Sequence, residues 1–129
     1  MCQILIVDDE TSIREIVEEY IDSLGFKRKS VSNAIEALLV IEKYKSTRVC
    51  LIDLHLPGMD GLSLCRKIKS IDPMMILIAM TGFRTLFSLI ECRQAGFDDI
   101  IYKPFNFDLL KSVVLEYDNK VRRWAKNGS

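Results

Sequence analysis

No stretch of this chain is apolar for long enough to cross a bilayer, and no basic N-terminal segment leads into a long apolar one as a secretory signal would. An excess of one charge is also missing. The 18 basic side chains balance 18 acidic ones, so bulk electrostatics offer no footing for nucleic acid. There is one histidine, His55, and the four cysteines (Cys2, Cys50, Cys65, Cys92) form neither a C-x-x-C nor a Cys/His pair at metal spacing. A reducing, cytoplasmic setting is expected, with Cys50 acting as a small buried hydrophobe inside its apolar run. No internal repeat, low-complexity tract or linker interrupts the chain before its last dozen residues.

The 129 residues suit one domain, and 49% hydrophobic with 28% charged residues fits a packed core under an ordinary solvated surface. Short apolar runs alternate with amphipathic stretches. The runs are Ile4 to Val7, Val49 to Leu54, Met75 to Met80 and Ile100 to Tyr102, with a weaker one near Arg28 to Val31. Each has strand length. The Val49 and Met75 runs are apolar on both alternating faces, as in a sheet covered on both sides. Between them, Ile13, Ile16, Val17, Tyr20, Ile21 and Leu24 predict one helical stripe, with Ser12 and Glu15 as a capping box and Gly25 as the stop. A second helix is expected from Ala34 to about Tyr44, capped by Asn33. A third carries Leu64, Ile68 and Ile71 and ends before Pro73. The fourth spans about Thr85 to Ala95 and stops at Gly96. The fifth follows Asn106, with Leu110, Val113, Val114 and Tyr117 on one side. Five strand-then-helix units predict a doubly wound α/β domain with a parallel sheet. Residues 1–119 form the domain, and 120–129 a helical extension or linker.

In open α/β sheets ligands bind beyond the carboxyl ends of the strands. Those ends carry Asp8-Asp9-Glu10, Asp53, Thr81-Gly82 and Lys103-Pro104. Clustered carboxylates repel one another and raise their own pKa values unless a cation joins them. Mg²⁺ suits such a place, being hard, oxygen-seeking and ready to keep positions open for phosphate oxygens. An aspartate there can serve as a nucleophile and form an aspartyl-phosphate, with Lys103 and the Thr81 hydroxyl offsetting charge on the transferring group. Each residue also has a plainer reading: helix N-terminal charge for Asp8-Asp9, a turn for Asp53, a strand end for Thr81, a loop for Lys103-Pro104, core packing for Tyr102. The site reading gains its weight from the set.

Four segments, ILIVDDE, LIDLHLPGMDG, MTG and YKPF, stand in order at these strand ends. With them the chain resembles the receiver domains of response regulators, from about Gln3 to Tyr117 or beyond. The resemblance implies a flavodoxin-like sheet in the order 2-1-3-4-5. It implies that Asp53 is the phosphoacceptor and that Asp8 and Asp9 hold Mg²⁺ (or Mn²⁺), Asp9 more directly, with the backbone carbonyl of His55. Thr81 would be the switching hydroxyl, Tyr102 the aromatic that follows it, and Lys103 the phosphate-pairing lysine, with a cis Lys103-Pro104 bond. Pro57, Gly58 and Gly61 would form the turn after Asp53. The implied function is a phosphoryl-operated switch, not an enzyme with a separate substrate. Its donor would be a sensor histidine kinase or phosphotransfer protein. Its output would be an effector or a second copy meeting the face of the fourth helix, fifth strand and fifth helix.

Two features lie at the edge of that resemblance. His55 is most simply a solvated loop residue, but with Phe83 it could set the lifetime of the phosphorylated form. The fourth helix carries Leu86, Phe87, Leu89 and Ile90, and an exposed Leu86 or Phe87 would mark a partner surface. The basic stretch around Trp124 is too short for a DNA-binding module and reads as a continued helix. A haloacid-dehalogenase-like phosphatase would need an aspartate two residues after its nucleophile, where His55 follows Asp53 and Glu10 follows Asp8. A flavodoxin would need a hydroxyl- and glycine-rich loop after the first strand. A docking module with a dead site would need Asp53, Lys103 or Thr81 replaced.

Overall fold

The computed structural model describes residues 3–82 and 86–128, without the side chains of residues 86, 87, 127 and 128. The expectations placed on Cys2, Phe83, Thr85 and the side chains of Leu86 and Phe87 lie outside the described residues. Five strands alternate with five helices: β1 (Gln3–Val7), α1 (Thr11–Ser23), β2 (Lys27–Val31), α2 (Ala34–Lys43), β3 (Thr47–Asp53), α3 (Gly61–Ile71), β4 (Ile76–Thr81), α4 (Leu86–Ala95), β5 (Asp99–Tyr102) and α5 (Phe107–Gly128). All pairings are parallel, and the strand order is β2-β1-β3-β4-β5.

The two-residue period of the strands sorts their side chains into two cores. Leu5, Val7, Cys50, Ile52, Leu77 and Ala79 face α2, α3 and α4. Ile4, Ile6, Val49, Leu51, Ile78 and Met80 face α1 and α5. Every residue of β1 and β4 is buried, as the continuous apolar runs require of central parallel strands. β2 lies at one edge of the sheet. Its exposed Lys27 and Lys29 blunt that edge against further strand pairing.

The helices follow their stripes with three departures. Along α5, Leu110, Val113, Val114 and Tyr117 are buried on one side as expected, and the Asn106 carboxamide oxygen accepts the Leu109 N–H. In α2 the Asn33 side chain caps the Glu36 N–H, as the sequence predicts. In α1 the expected capping box does not form: Glu10 is the cap residue without a side-chain cap bond, and Ser12 already lies inside the helix. The Asp8 carboxylate takes the Glu10 N–H and starts the turn two residues earlier. Ile16, expected within the stripe, is 43% exposed on its flank, while Val17 and Ile21 fill the core. Ile71 is 57% exposed, because it stands at the last position of α3 beside Arg48 and Asp72, where no further turn covers it. Gly25 and Gly96 follow α1 and α4 at positive φ, the conformation that ends a helix most cheaply at glycine.

α5 continues without a break to Gly128, carrying the basic stretch around Trp124 as helix. No helix among the described residues is long and apolar enough to cross a membrane.

Candidate functional site

The sheet order reverses at β1, which lies between β2 and β3. At such a point loops diverge and leave a crevice beyond the strand ends. The registers bring those ends level: Val7 pairs with Ile52, Asp53 with Met80, and Thr81 with Tyr102. Asp8, Asp53, Thr81 and Lys103 therefore meet at one edge.

Asp8 is completely buried, Asp53 is 3% exposed and Thr81 1%. A buried carboxylate must be matched by donors or positive charge. Asp8 is matched on both oxygens: Oδ1 accepts the Glu10 N–H at 3.0 Å and Oδ2 pairs with the Lys103 ammonium at 3.0 Å. Its backbone is held as well. Its N–H donates to the Val31 carbonyl, and its own carbonyl accepts Arg14 Nη1 at 2.8 Å. Asp53 accepts the His55 N–H on Oδ1 at 3.1 Å and has Lys103 Nζ 3.6 Å from Oδ2. One ammonium thus lies between two buried carboxylates.

Electrostatics follow that geometry. Burial holds the Asp53 carboxyl above its ordinary range; the His55 N–H opposes this, Asp8 adds to it and Lys103 opposes it. Burial works against the Lys103 charge, but the bond to Asp8 and the charges of Asp53 and Asp8 outweigh it and raise its pKa. A carboxylate held above its ordinary range in company with a second one is a donor set short of positive charge. Asp8, Glu10 and Asp53 each offer a carboxylate oxygen, and these lie within 4.8 Å of one another. Hard oxygen donors at that spacing fit a small divalent cation. Asp9 is exposed and stands outside the trio, whereas Glu10, which the resemblance does not assign to the metal, stands within it.

The backbone around Asp53 is tightly set. The Gly61 N–H donates to the Leu54 carbonyl, and a Cβ at Gly61 would lie 2.6 Å from the Asp53 carbonyl oxygen and 2.7 Å from the Leu54 Cα. Glycine is required there by space, because the first turn of α3 crosses directly behind the end of β3. Asp60 caps that turn, its Oδ1 accepting the Ser63 N–H at 2.8 Å. Gly58 turns at φ +74. On the other side the Lys103 N–H donates to the Thr81 carbonyl at 2.7 Å, tying the exit of β5 to the end of β4. The Lys103-Pro104 bond is cis. His55 is exposed, and Tyr102 is half-buried at the end of β5. A cavity of about 350 Å³ adjoins the site, with Leu54, His55, Asp60, Thr81 and Glu91 among its walls.

Sequence reasoning left out Arg14 and Asp60, and it placed Glu10 in the acidic cluster without assigning it to the metal. Asp60 carried a legible signal, an aspartate three residues before Ser63 at a helix start. Glu10 was visible in the acidic run, but nothing in residue type shows which member turns inward. Arg14 lies one helical turn beyond the loop, with no local pattern to mark it.

The family model described as the response regulator receiver domain matches residues 4–115. The chain is 32% identical over 115 residues to sporulation initiation phosphotransferase F of Bacillus subtilis, covering 89% of this chain and 92% of that protein. It is 33% identical over 108 residues to a cyclic di-GMP phosphodiesterase of Thermotoga maritima, covering 84% of this chain and 28% of that protein. It therefore spans little more than a quarter of that longer relative. Among solved structures, a CheY-like receiver domain protein from Methanospirillum hungatei superposes with a TM-score of 0.84 at 31% identity, covering 95% of this chain and 98% of that one.

Proposed function

The chain belongs to the response regulator receiver domain family of two-component signalling, and on that premise we propose that Asp53 accepts a phosphoryl group and thereby switches a protein-binding surface. The observation that carries this reading is the Lys103 ammonium, beyond the end of β5, set between the buried carboxylates of Asp8 and Asp53 at the ends of β1 and β3. A phosphohistidine on a sensor kinase or phosphotransfer protein is the donor. Its N–P bond breaks as the bond from an Asp53 carboxylate oxygen to phosphorus forms, and the imidazole leaves. The similarity to a sporulation phosphotransferase supports a partner of that kind.

A bound Mg²⁺ supplies positive charge for the phosphoryl oxygens. Asp8 and Asp53 would hold it with the His55 carbonyl. Asp9, whose carboxylate is uncommitted among the described residues, would turn in as a further ligand, and Glu10 would add charge to the set. Lys103 pairs with the added group, and its existing contacts to Asp8 and Asp53 keep it in place before transfer. Thr81 turns its hydroxyl to the phosphoryl oxygen, and Tyr102 follows from the neighbouring register position. The output face is that of α4, β5 and α5, where Ile90 is 45% exposed. The free, buried thiols of Cys50, Cys65 and Cys92 support a cytoplasmic setting.

Intact mass after incubation with acetyl phosphate, with and without Mg²⁺, tests the proposal. One phosphoryl adduct is expected, dependent on Mg²⁺ and lost in Asp53→Asn. No adduct under conditions that label a known receiver, or an undiminished one in Asp53→Asn, would refute it.

A further inference from the structure

The end of the sheet opposite the carboxylates carries features that phosphoryl chemistry does not use. Arg48, the second residue of β3, is exposed there. Its Nη1 donates to the carbonyl oxygens of Lys45 and Thr47, the latter at 2.9 Å. These bonds pin the guanidinium, yet among the described residues it pairs with no carboxylate. A guanidinium has five N–H donors in a planar fork, so a pinned one keeps donors aimed outward for a carboxylate.

Arg48 forms part of the wall of two cavities. One, of about 170 Å³, is bounded also by Ile41, Lys45, Ile71 and Met75. The other, of about 240 Å³, is bounded by Met74, Val121, Trp124 and Ala125. Ile71, Met74 and Trp124 are 57%, 58% and 45% exposed, so three large apolar side chains face solvent around one fixed cation. The charge of the lining is positive on balance: Lys45 and Arg48 stand against one carboxylate, Asp72, which accepts the Met74 N–H.

We propose that this pole is a second docking surface, for an acidic amphipathic peptide segment of a partner protein. Arg48 pairs with a carboxylate of that segment, and the flanking cavities receive its apolar side chains. Arginine and tryptophan beside apolar recesses are the residue types that anchor such contacts. A lipid surface is the lesser reading, because membrane-seating apolar side chains project together from a helix face, whereas here they wall recesses.

Trp124 is the only tryptophan of the chain, so its emission reports directly on the second cavity. The probe is an acetylated, amidated dodecapeptide of glutamate interspersed with leucine and phenylalanine, titrated into the full chain. A saturable blue shift is expected, absent with the peptide in which lysine replaces glutamate. Arg48→Glu and Met74→Asp, each checked for folding by circular dichroism, should weaken binding at least tenfold. Ile35→Asp on the remote surface of α2 should leave it unchanged. No saturable shift, or equal affinity in Arg48→Glu, would overturn the proposal. A shift produced by phosphatidylserine vesicles and not by the acidic peptide would also overturn it, in favour of a lipid surface.

Discussion

Replacing Lys103 with methionine keeps much of the side-chain volume and deletes the charge between Asp8 and Asp53. The three side chains are 16%, 0% and 4% exposed, so the pairs are buried rather than surface bridges. Removing one partner of a buried pair costs about 3–5 kcal/mol, chiefly because the remaining charge is stranded. The low end applies, since the contact to Asp53 is already 3.6 Å and Asp53 can shed its charge by taking up a proton. About 3 kcal/mol is expected for the metal-free protein at neutral pH, which is a large part of the ~5–15 kcal/mol typical of a domain. With an m-value of about 2 kcal/mol/M, the urea midpoint falls by about 1.5 M. The pH dependence has a definite sign. The folded pKa of Asp53 lies above its unfolded value, so its contribution to stability is greatest in acid and is lost as pH rises through the folded value. Lys103 lowers that pKa, so its removal moves the loss to higher pH and makes it larger. The gap between variant and wild type should therefore narrow as pH falls toward the carboxylate range and widen toward neutrality. Urea denaturation of both proteins in EDTA across that range is the assay. A loss under about 1 kcal/mol, or one independent of pH, would refute the view that Lys103 neutralises two buried carboxylates.

Other substitutions test the frame around the site. Gly61→Ala should cost about 2 kcal/mol and slow labelling of Asp53, because its Cβ meets the Asp53 carbonyl and the Leu54 Cα. Gly82→Ala, with nothing near its Cβ, should stay within about 0.5 kcal/mol of wild type by the same denaturation. Asp60→Ala should cost about 1 kcal/mol by removing the acceptor of the Ser63 N–H, and thermal unfolding will read it. Calorimetric Mg²⁺ titration separates the two outer carboxylates. Asp9→Asn should weaken binding about tenfold and Glu10→Gln less, and the reverse order would make Glu10 the ligand.

Much of the fold was legible because its determinants are local. β4 is buried throughout, and its sequence says so by lacking alternation. α2 begins where Asn33 can cap it, and α5 presents Leu110, Val113, Val114 and Tyr117 to one core. The failures came where another element decides. Ser12 and Glu15 fit a capping box, but a carboxylate in the preceding turn, Asp8, claims the Glu10 N–H and advances the helix. Ile71 has the spacing of a core residue, yet burial at a helix end depends on whether a neighbouring element reaches that far.

The site was legible to the level of strand ends and no finer. That Asp8, Asp53, Thr81 and Lys103 share an edge follows from parallel strands in register, which the alternation of runs and helices already implies. Which carboxylate faces inward does not follow, because Asp8, Asp9 and Glu10 are consecutive, similar in chemistry and free to rotate. Their roles are separated by partners outside the run: Lys103 on Asp8 Oδ2, the end of β3 presenting Asp53, and Arg14 gripping the Asp8 carbonyl. On the proposed assignment Asp9 would add a further ligand to an ion at this edge, its carboxylate having no hydrogen bond among the described residues to give up. Glu10 already offers its carboxylate within the trio, and its N–H bond to Asp8 fixes its backbone without engaging that carboxylate. The choice between them is thus one of rotamer and competing partners, which residue type alone does not encode.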